Sequence, residues 1–298
     1  MRQGVQYFKR NDRIPLSIQK ADLHIHSTFS DGECGIGQII AMAKDKGLDA
    51  IAITDHDTIS HQAQIPGVPD NESPEGIQVT AGVEISSIHK ETKTKAHILG
   101  YCIQNPKIIS ALTRPLLEAR NKNSEKKVGI LIENGFKIDA DKLPRAAGKY
   151  LYKQHILDWL VATEQTADMF GAFYRETFKN GGICDFDIEY IDVFEAVRTI
   201  KIAGGLAVLA HPGQQQNFWL IPQLISIGLD GLELNHHSHT EKDWSIIRGY
   251  ADQYSLFLTG GSDYHGKYSS QPYGIGDFLS EKSGAEAIIS KGTSIVLK

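Results

Sequence analysis

Ala21-Asp22-Leu23-His24-Ile25-His26-Ser27-Thr28-Phe29-Ser30-Asp31-Gly32 reads as a short strand running into a loop. Side chains two apart on a strand project from one face. His24 and His26 therefore point the same way, near enough to share one metal ion, and Asp31 follows in the loop. Residues 36–46 carry helical periodicity, with Gly47 where a helix C-cap belongs. Residues 49–54 (DAIAIT) form a buried strand, and 77–85 and 95–101 form two more. The second half repeats the rhythm, with helix 188–203, strands 206–210 and 229–234, helix 244–254, strand 256–259 and a last strand at 294–297. This alternation predicts βαβ units and a largely parallel sheet.

Between 105 and 187 the alternation stops. Helical patterns cover 110–134, 152–161 and 166–179, with Gly135 and Gly181-Gly182 as stops. The expected organisation is one α/β domain built from 1–104 and 188–298, interrupted by a helical insertion at 105–187. Segment 106–153 holds eleven Lys and Arg against five Asp and Glu, a net of +6 in a chain of formal charge -5. That bias is either a solvated helix surface or a positive lid that draws in an anionic substrate.

The 298 residues are 41% hydrophobic and 22% charged, ordinary for a soluble globular protein. No run approaches the length of a membrane span. Residues 1–20 lack the apolar core of a signal peptide, so a cytoplasmic location is expected. Cys34, Cys102 and Cys184 form neither a CxxC pair nor a disulfide framework, and reduced thiols are expected. The net negative charge argues against stable binding of long nucleic acid, and leaves room for a small phosphorylated substrate.

Most of the twelve histidines follow directly on a strand. In barrels and open α/β sheets, sites form at the C-terminal ends of strands. The candidates are His24 and His26, Asp31, His56 in Thr54-Asp55-His56-Asp57-Thr58, Glu84, His97, His155, and Asp263 and His265 in Gly261-Ser262-Asp263-Tyr264-His265. One HxH is weak evidence. So many ionisable groups at strand ends need a common purpose, because buried polar groups cost free energy unless paired. Metal coordination satisfies them together. Mixed imidazole and carboxylate ligation suits Mn, Zn, Fe or Co better than Ca or Mg.

DLHIHSTFSDG, ITDHDT, GVEIS, HILGY, AHPG and GSDYH occur here in the motif order of the PHP (polymerase and histidinol phosphatase) superfamily, which the chain resembles from about residue 21 to 276. Among its members it looks most like the stand-alone phosphoesterases acting on nucleotides and short RNA ends. The resemblance implies a distorted (β/α)7 barrel with an inserted helical subdomain and a site for two or three divalent ions (Mn, Zn or Fe). It implies that His24, His26, Glu84 and Asp263 hold a first ion and Asp31, His56 and His265 a second. Glu84 would bridge to a third, completed by His97 and His155. The implied activity is hydrolysis of phosphate esters of nucleotides or short oligonucleotides, by in-line attack of a hydroxide shared between ions.

Further roles attach to this pattern. His211 is expected to protonate the leaving oxygen or to contact the phosphate, and His239 is a similar case. Arg120, Lys149 and Lys153 are candidates for phosphate contact, and Lys153 stands where many relatives carry Arg, exchanging a bidentate fork for a point charge. Asp57 is expected to cap a helix or to orient an imidazole, His236 and His237 to face solvent, and His61 and His89 have no role assigned. The alternatives are a histidinol-phosphate phosphatase, a metal-binding module without activity, and an amidohydrolase. Glu84 rather than a lysine at the bridging position disfavours the last.

Overall fold

Each central strand turns one face to the surrounding helices and the other inward, and this alternation sorts the chain into layers. A computed structural model describes residues 18–65 and 77–291. The expected strand 294–297 and most of segment 1–20 lie outside the described residues. In chain order the elements are β1 (Ala21–Ile25), α1 (Ile36–Asp45), β2 (Ala50–Ile53), β3 (Gln78–Ile85), β4 (Ser87–His89), β5 (Thr94–Lys95), β6 (Ile98–Tyr101), α2 (Pro106–Glu133), α3 (Lys153–Ala162), α4 (Ala172–Phe178), β7 (Ile191–Asp192), α5 (Val193–Ile202), β8 (Leu206–Leu209), α6 (Pro212–Gln215), α7 (Ile221–Ile225), β9 (Gly231–Asn235), α8 (Glu241–Tyr254), β10 (Phe257–Gly260) and α9 (Lys282–Lys291).

The apolar strand faces meet the helices. Ile51 and Ile53 pack on Ile36, Ile39 and Ile40 of α1. Val83, Ile85, Leu209, Leu232 and Leu234 pack on α5, α7 and α8. The opposite faces of Ala52, Leu99, Tyr101 and Val208 meet Leu23 and Ile288 of α9 in a second cluster. Each fully buried Leu or Ile contributes about 1.5–3 kcal/mol. Glu84 and Glu233 belong to this second set of faces, between the outward pairs Val83/Ile85 and Leu232/Leu234, and both are almost wholly buried.

The seven-stranded sheet runs β1-β2-β3-β6-β8-β9-β10. All neighbours pair in parallel except β6, which is antiparallel to both β3 and β8. The edges approach each other: His26 N donates to Tyr264 O at 3.0 Å, and Ser262 N donates to the Asp22 carboxylate at 3.0 Å. The result is a distorted (β/α)7 barrel, and reversal of β6 is its chief distortion. That reversal also puts the start of β6, with His97 just before it, at the same end as the C-terminus of β3.

Three elements differ from their expected form. The strand at 95–101 splits into β5 and β6, and β5 joins β4 and β7 in a small second sheet. The helix expected at 188–203 begins later, because the Asp192 side chain accepts from Phe194 N and Glu195 N and caps α5. Only 172–178 of 166–179 is helical; Gly171 N donates to the Asp168 carboxylate just ahead, in a local turn that competes with helix. Between β6 and β7, Val128, Leu131, Leu157, Leu160 and Phe178 form a hydrophobic cluster of their own. Among the described residues no helix is long and apolar enough to cross a membrane.

Closure of the barrel tolerates no side chain at Gly261. A Cβ there would meet the backbone of His24, with Cα at 2.8 Å. Gly261→Ala is expected to cost about 3 kcal/mol and to lower metal content together with the urea midpoint. A variant with wild-type midpoint and metal content would contradict this account of the closure.

Candidate metal centre

β1 delivers His24 and His26 side by side, β3 brings Glu84, and the turn after β10 brings Asp263, whose backbone is left-handed (φ 50). His24 Nε2 lies 3.3 Å from Glu84 Oε2 and 3.4 Å from Asp263 Oδ1. His26 Nε2 lies 3.2 Å and 3.1 Å from the same two atoms. His56 Nδ1 is 3.3 Å from Glu84 Oε2. On the other oxygen, Oε1, His97 Nδ1 stands at 2.8 Å and His211 Nε2 at 3.0 Å. Asp31 Oδ1 faces His265 Nε2 at 3.5 Å.

Three of these groups have donor atoms close enough to share an ion: His24, His26, Glu84 and Asp263; His26, Asp31, His56 and His265; and His56, Glu84 and His97. The chemistry of the atoms fits metals. His24 Nε2, His26 Nε2, Asp31 Oδ1 and Asp263 Oδ1 are buried and lack hydrogen-bond partners. Leaving so many polar atoms unpaired is costly, and divalent cations would satisfy them together. Burial alone would raise the Glu84 carboxyl, but the imidazoles of His56, His24 and His97 override it and hold it well below the usual range. Burial pushes the His56 imidazole down to about 4, against the pull of Glu84 and Asp31.

Surrounding groups lock these side chains. Glu233 Oε1 accepts from His24 Nδ1 at 2.9 Å, and its Oε2 accepts from His211 N at 2.8 Å. It therefore turns His24 Nε2 toward Glu84 and steadies the left-handed His211 backbone (φ 27). Asp55 accepts from Ser27 N and Ser30 Oγ, each at 2.7 Å, and faces His61 Nδ1 at 2.9 Å. This pins the loop that carries Asp31. Such contacts orient ligands and tune their basicity. Sequence reasoning missed Glu233, Asp22, Asp55 and His61. A signal existed for the two on strands, since Asp22 and Glu233 are carboxylates inside otherwise apolar runs.

Several expectations change. His155 does not reach Glu84; its Nδ1 accepts from Tyr152 N at 3.2 Å, and it sits on the Asp31 side, where neighbouring Gln154 donates to Asp31 at 2.7 Å. His211 takes the place beside Glu84 and His97 instead, with its Nε2 committed to Glu84. His239 has no nitrogen left for catalysis: Nδ1 donates to Leu234 O at 2.7 Å and Nε2 accepts from Gly213 N at 3.1 Å. His236 is fully buried rather than solvent-facing, 3.3 Å from Asp263 Oδ2, because the turn after β9 folds it against the Asp263 turn. Asp57 caps no helix; it accepts from Ser86 N at 2.8 Å and from Arg120 Nη2 at 2.6 Å.

A cavity of about 410 Å³ opens beside the cluster, lined by Asp31, His56 and His97 at one end and by Arg120, Lys127 and Lys153 among others. Arg120 also donates to Ser86 Oγ at 3.0 Å, and Ser86 in turn lies 3.3 Å from His56 Nδ1. Lys149 is not there. It lines a separate cavity with Lys107 and Arg114, and its Nζ rests 4.8 Å from the Tyr150 ring centre.

A barrel mouth with imidazoles and carboxylates gathered for several ions, next to a cationic cavity, defines a metal-dependent hydrolase of phosphoesters. The PHP domain model matches residues 22–208, and the chain belongs to that family. It is 40% identical over 256 residues to the phosphoribosyl 1,2-cyclic phosphate 1,2-diphosphodiesterase of Eggerthella lenta, covering 85% of this chain and 96% of that one. It is 29% identical to the 3',5'-nucleoside bisphosphate phosphatase of Chromobacterium violaceum, covering 82% and 86%. A Bifidobacterium adolescentis structure, provisionally described as a metal-dependent phosphoesterase, superposes with a TM-score of 0.81 at 25% identity, covering 94% of this chain and 99% of that one.

Glu233→Gln keeps the shape and removes the charge that holds His24. It is expected to weaken metal binding by about 10–100-fold, read as metal content after dialysis against a graded chelator. Retention equal to wild type would show that Glu233 does not support the centre.

Proposed function

We propose that this chain hydrolyses a phosphate ester of a nucleotide or of a short oligonucleotide end, using two or three divalent ions (Mn, Zn or Fe). The observation that carries the reading is the adjacency of unpaired buried donor atoms and a cavity with cationic walls. His24, His26, Glu84 and Asp263 would hold one ion, and Asp31, His56 and His265, beside His26, a second. Glu84, His97 and His211 would hold a third. Ions bound there supply positive charge to the phosphoryl oxygens and acidify a water for attack on phosphorus near neutral pH.

The side chains do the positioning. Glu84 stays ionised and holds five imidazoles at fixed separations. Asp57 and Ser86 fix Arg120 at the cavity wall, where its guanidinium adds to the cationic lining. The helical segment 105–187 acts as a lid subdomain that limits bulk water and contributes the cationic wall. The phosphoribosyl and nucleoside phosphates in the relatives' names support a nucleotide-sized substrate. Such a substrate fits a cytoplasmic place of work.

Purified protein loaded with Mn²⁺ is expected to release inorganic phosphate from p-nitrophenyl phosphate and from a nucleoside bisphosphate. EDTA should abolish the release and fresh Mn²⁺ restore it. His24→Ala and Asp263→Ala should each lower kcat/KM by at least about a thousandfold, which is about 4 kcal/mol of transition-state stabilisation. Full activity in either variant would place the chemistry elsewhere.

A further inference from the structure

Two lysines in the cavity lack the partner that burial demands. Lys127 of α2 is only 8% exposed, and Lys153 at the start of α3 is half-buried. Neither forms an ion pair among the described residues. Lys153 Nζ donates to the Tyr174 hydroxyl at 3.0 Å, and Lys127 Nζ lies 5.0 Å from the centre of the Phe186 ring. The carboxylate that bears on both, Asp187, is turned toward Lys95 Nζ at 3.4 Å and the Tyr190 hydroxyl at 2.9 Å. Lys179 adds a third ammonium at the cavity's exposed edge.

Taking an unpaired ammonium out of water costs free energy. Burial pushes Lys127 down to about 8, and Lys153, also repelled by Lys179, down to about 8. Arg120 differs, because Asp57 already neutralises it at 2.6 Å. Among the described residues, the cavity ammonium groups held in no direct ion pair are therefore those of Lys127, Lys153 and Lys179, with Asp185 and Asp187 also in the lining, apart from the donor atoms around Glu84. A cavity of about 410 Å³ is in the size range of small-ligand sites, and this one is lined by both regions.

We propose that Lys127, together with Lys153, binds a second phosphate of the substrate, remote from the ester cleaved at the Glu84 cluster, and thereby selects bisphosphorylated over monophosphorylated substrates. The proposal rests on the function put forward above and adds the residues that set its specificity. Two ammonium groups on one wall match a phosphate dianion, and ligand charge replaces the carboxylate they lack.

The deciding measurement is calorimetric titration of metal-free protein with inorganic phosphate. Comparing wild type with lysine variants isolates the share of phosphate binding due to the lysine wall, because Arg120 and the imidazoles of the donor cluster are the same in both. Wild type is expected to bind, Lys127→Met to bind at least about tenfold more weakly, and Lys127→Arg to stay within about threefold of wild type. Lys127→Met should also raise Tm, since it removes an unpaired buried charge. With Mn²⁺ bound, the kcat/KM ratio for adenosine 3',5'-bisphosphate over adenosine 5'-monophosphate should fall at least about tenfold in Lys127→Met. No phosphate binding by wild type, unchanged binding in Lys127→Met, or a lowered Tm in that variant would each overturn the proposal. If Lys127→Met does not fold, Lys153→Met carries the same readings. Should the Mn²⁺-loaded enzyme cleave no phosphate ester at all, the proposed function fails, while the titration still decides the lysine subsite.

Discussion

The structure turns on one carboxylate. Glu84 is 1% exposed and faces the ring nitrogens of His24, His26, His56, His97 and His211 at 2.8–3.3 Å. An isolated carboxylate in such a place would protonate. Here the imidazoles on both of its oxygens keep it charged. Its backbone is fixed as well: Glu84 N donates to Asp55 O and Asp57 N donates to Glu84 O. The two oxygens divide the histidines into two sets, His24, His26 and His56 on one and His97 and His211 on the other.

Around that centre, stability and chemistry use different faces of the same strands. Apolar faces bind the helices, and Ile288 of α9 closes the opposite face with Leu23, Leu99 and Val208. The remaining buried positions hold Glu84 and Glu233, which would be severe defects without their imidazole neighbours. Glu233 shows the economy of the arrangement, since one carboxylate orients His24 and also secures the backbone of His211. Asp22 works similarly at the closing edge, accepting from Ser262 N at 3.0 Å and Gly276 N at 2.8 Å.

The helical segment adds charge to this frame. Its hydrophobic cluster around Leu131, Leu157 and Phe178 is separate from the barrel core, which Ile109 at the start of α2 joins alongside Val83 and Ile98. Its cavity-facing side carries Lys127 and Lys153. The net of +6 read over 106–153 is thus divided by the fold. Part of it faces the cavity, and part, with Lys149, faces a second groove.

Local patterning made much of this legible from the residues alone. The period of two in Asp22-Leu23-His24-Ile25-His26 predicted a shared face, the alternation of strands and helices predicted βαβ units and a largely parallel sheet, and the motif resemblance implied the barrel. The motif resemblance implied which side chains would gather, and the structure brings His24, His26, Glu84 and Asp263 together, and Asp31, His56 and His265 beside His26. Tertiary structure settled the rest. Nothing in Ala210-His211-Pro212 says that its imidazole reaches Glu84 while His155 does not, and nothing in Glu233 names His24 as its partner, 209 residues away. His236 likewise read as a surface residue until packing enclosed it, and Lys127 was one charge in a segment that read as either a solvated helix surface or a positive lid. Periodicity reports which face of an element a side chain occupies. Which faces meet depends on strand order, on the reversed β6 and on barrel closure, and these are properties of long-range pairing that no local window contains.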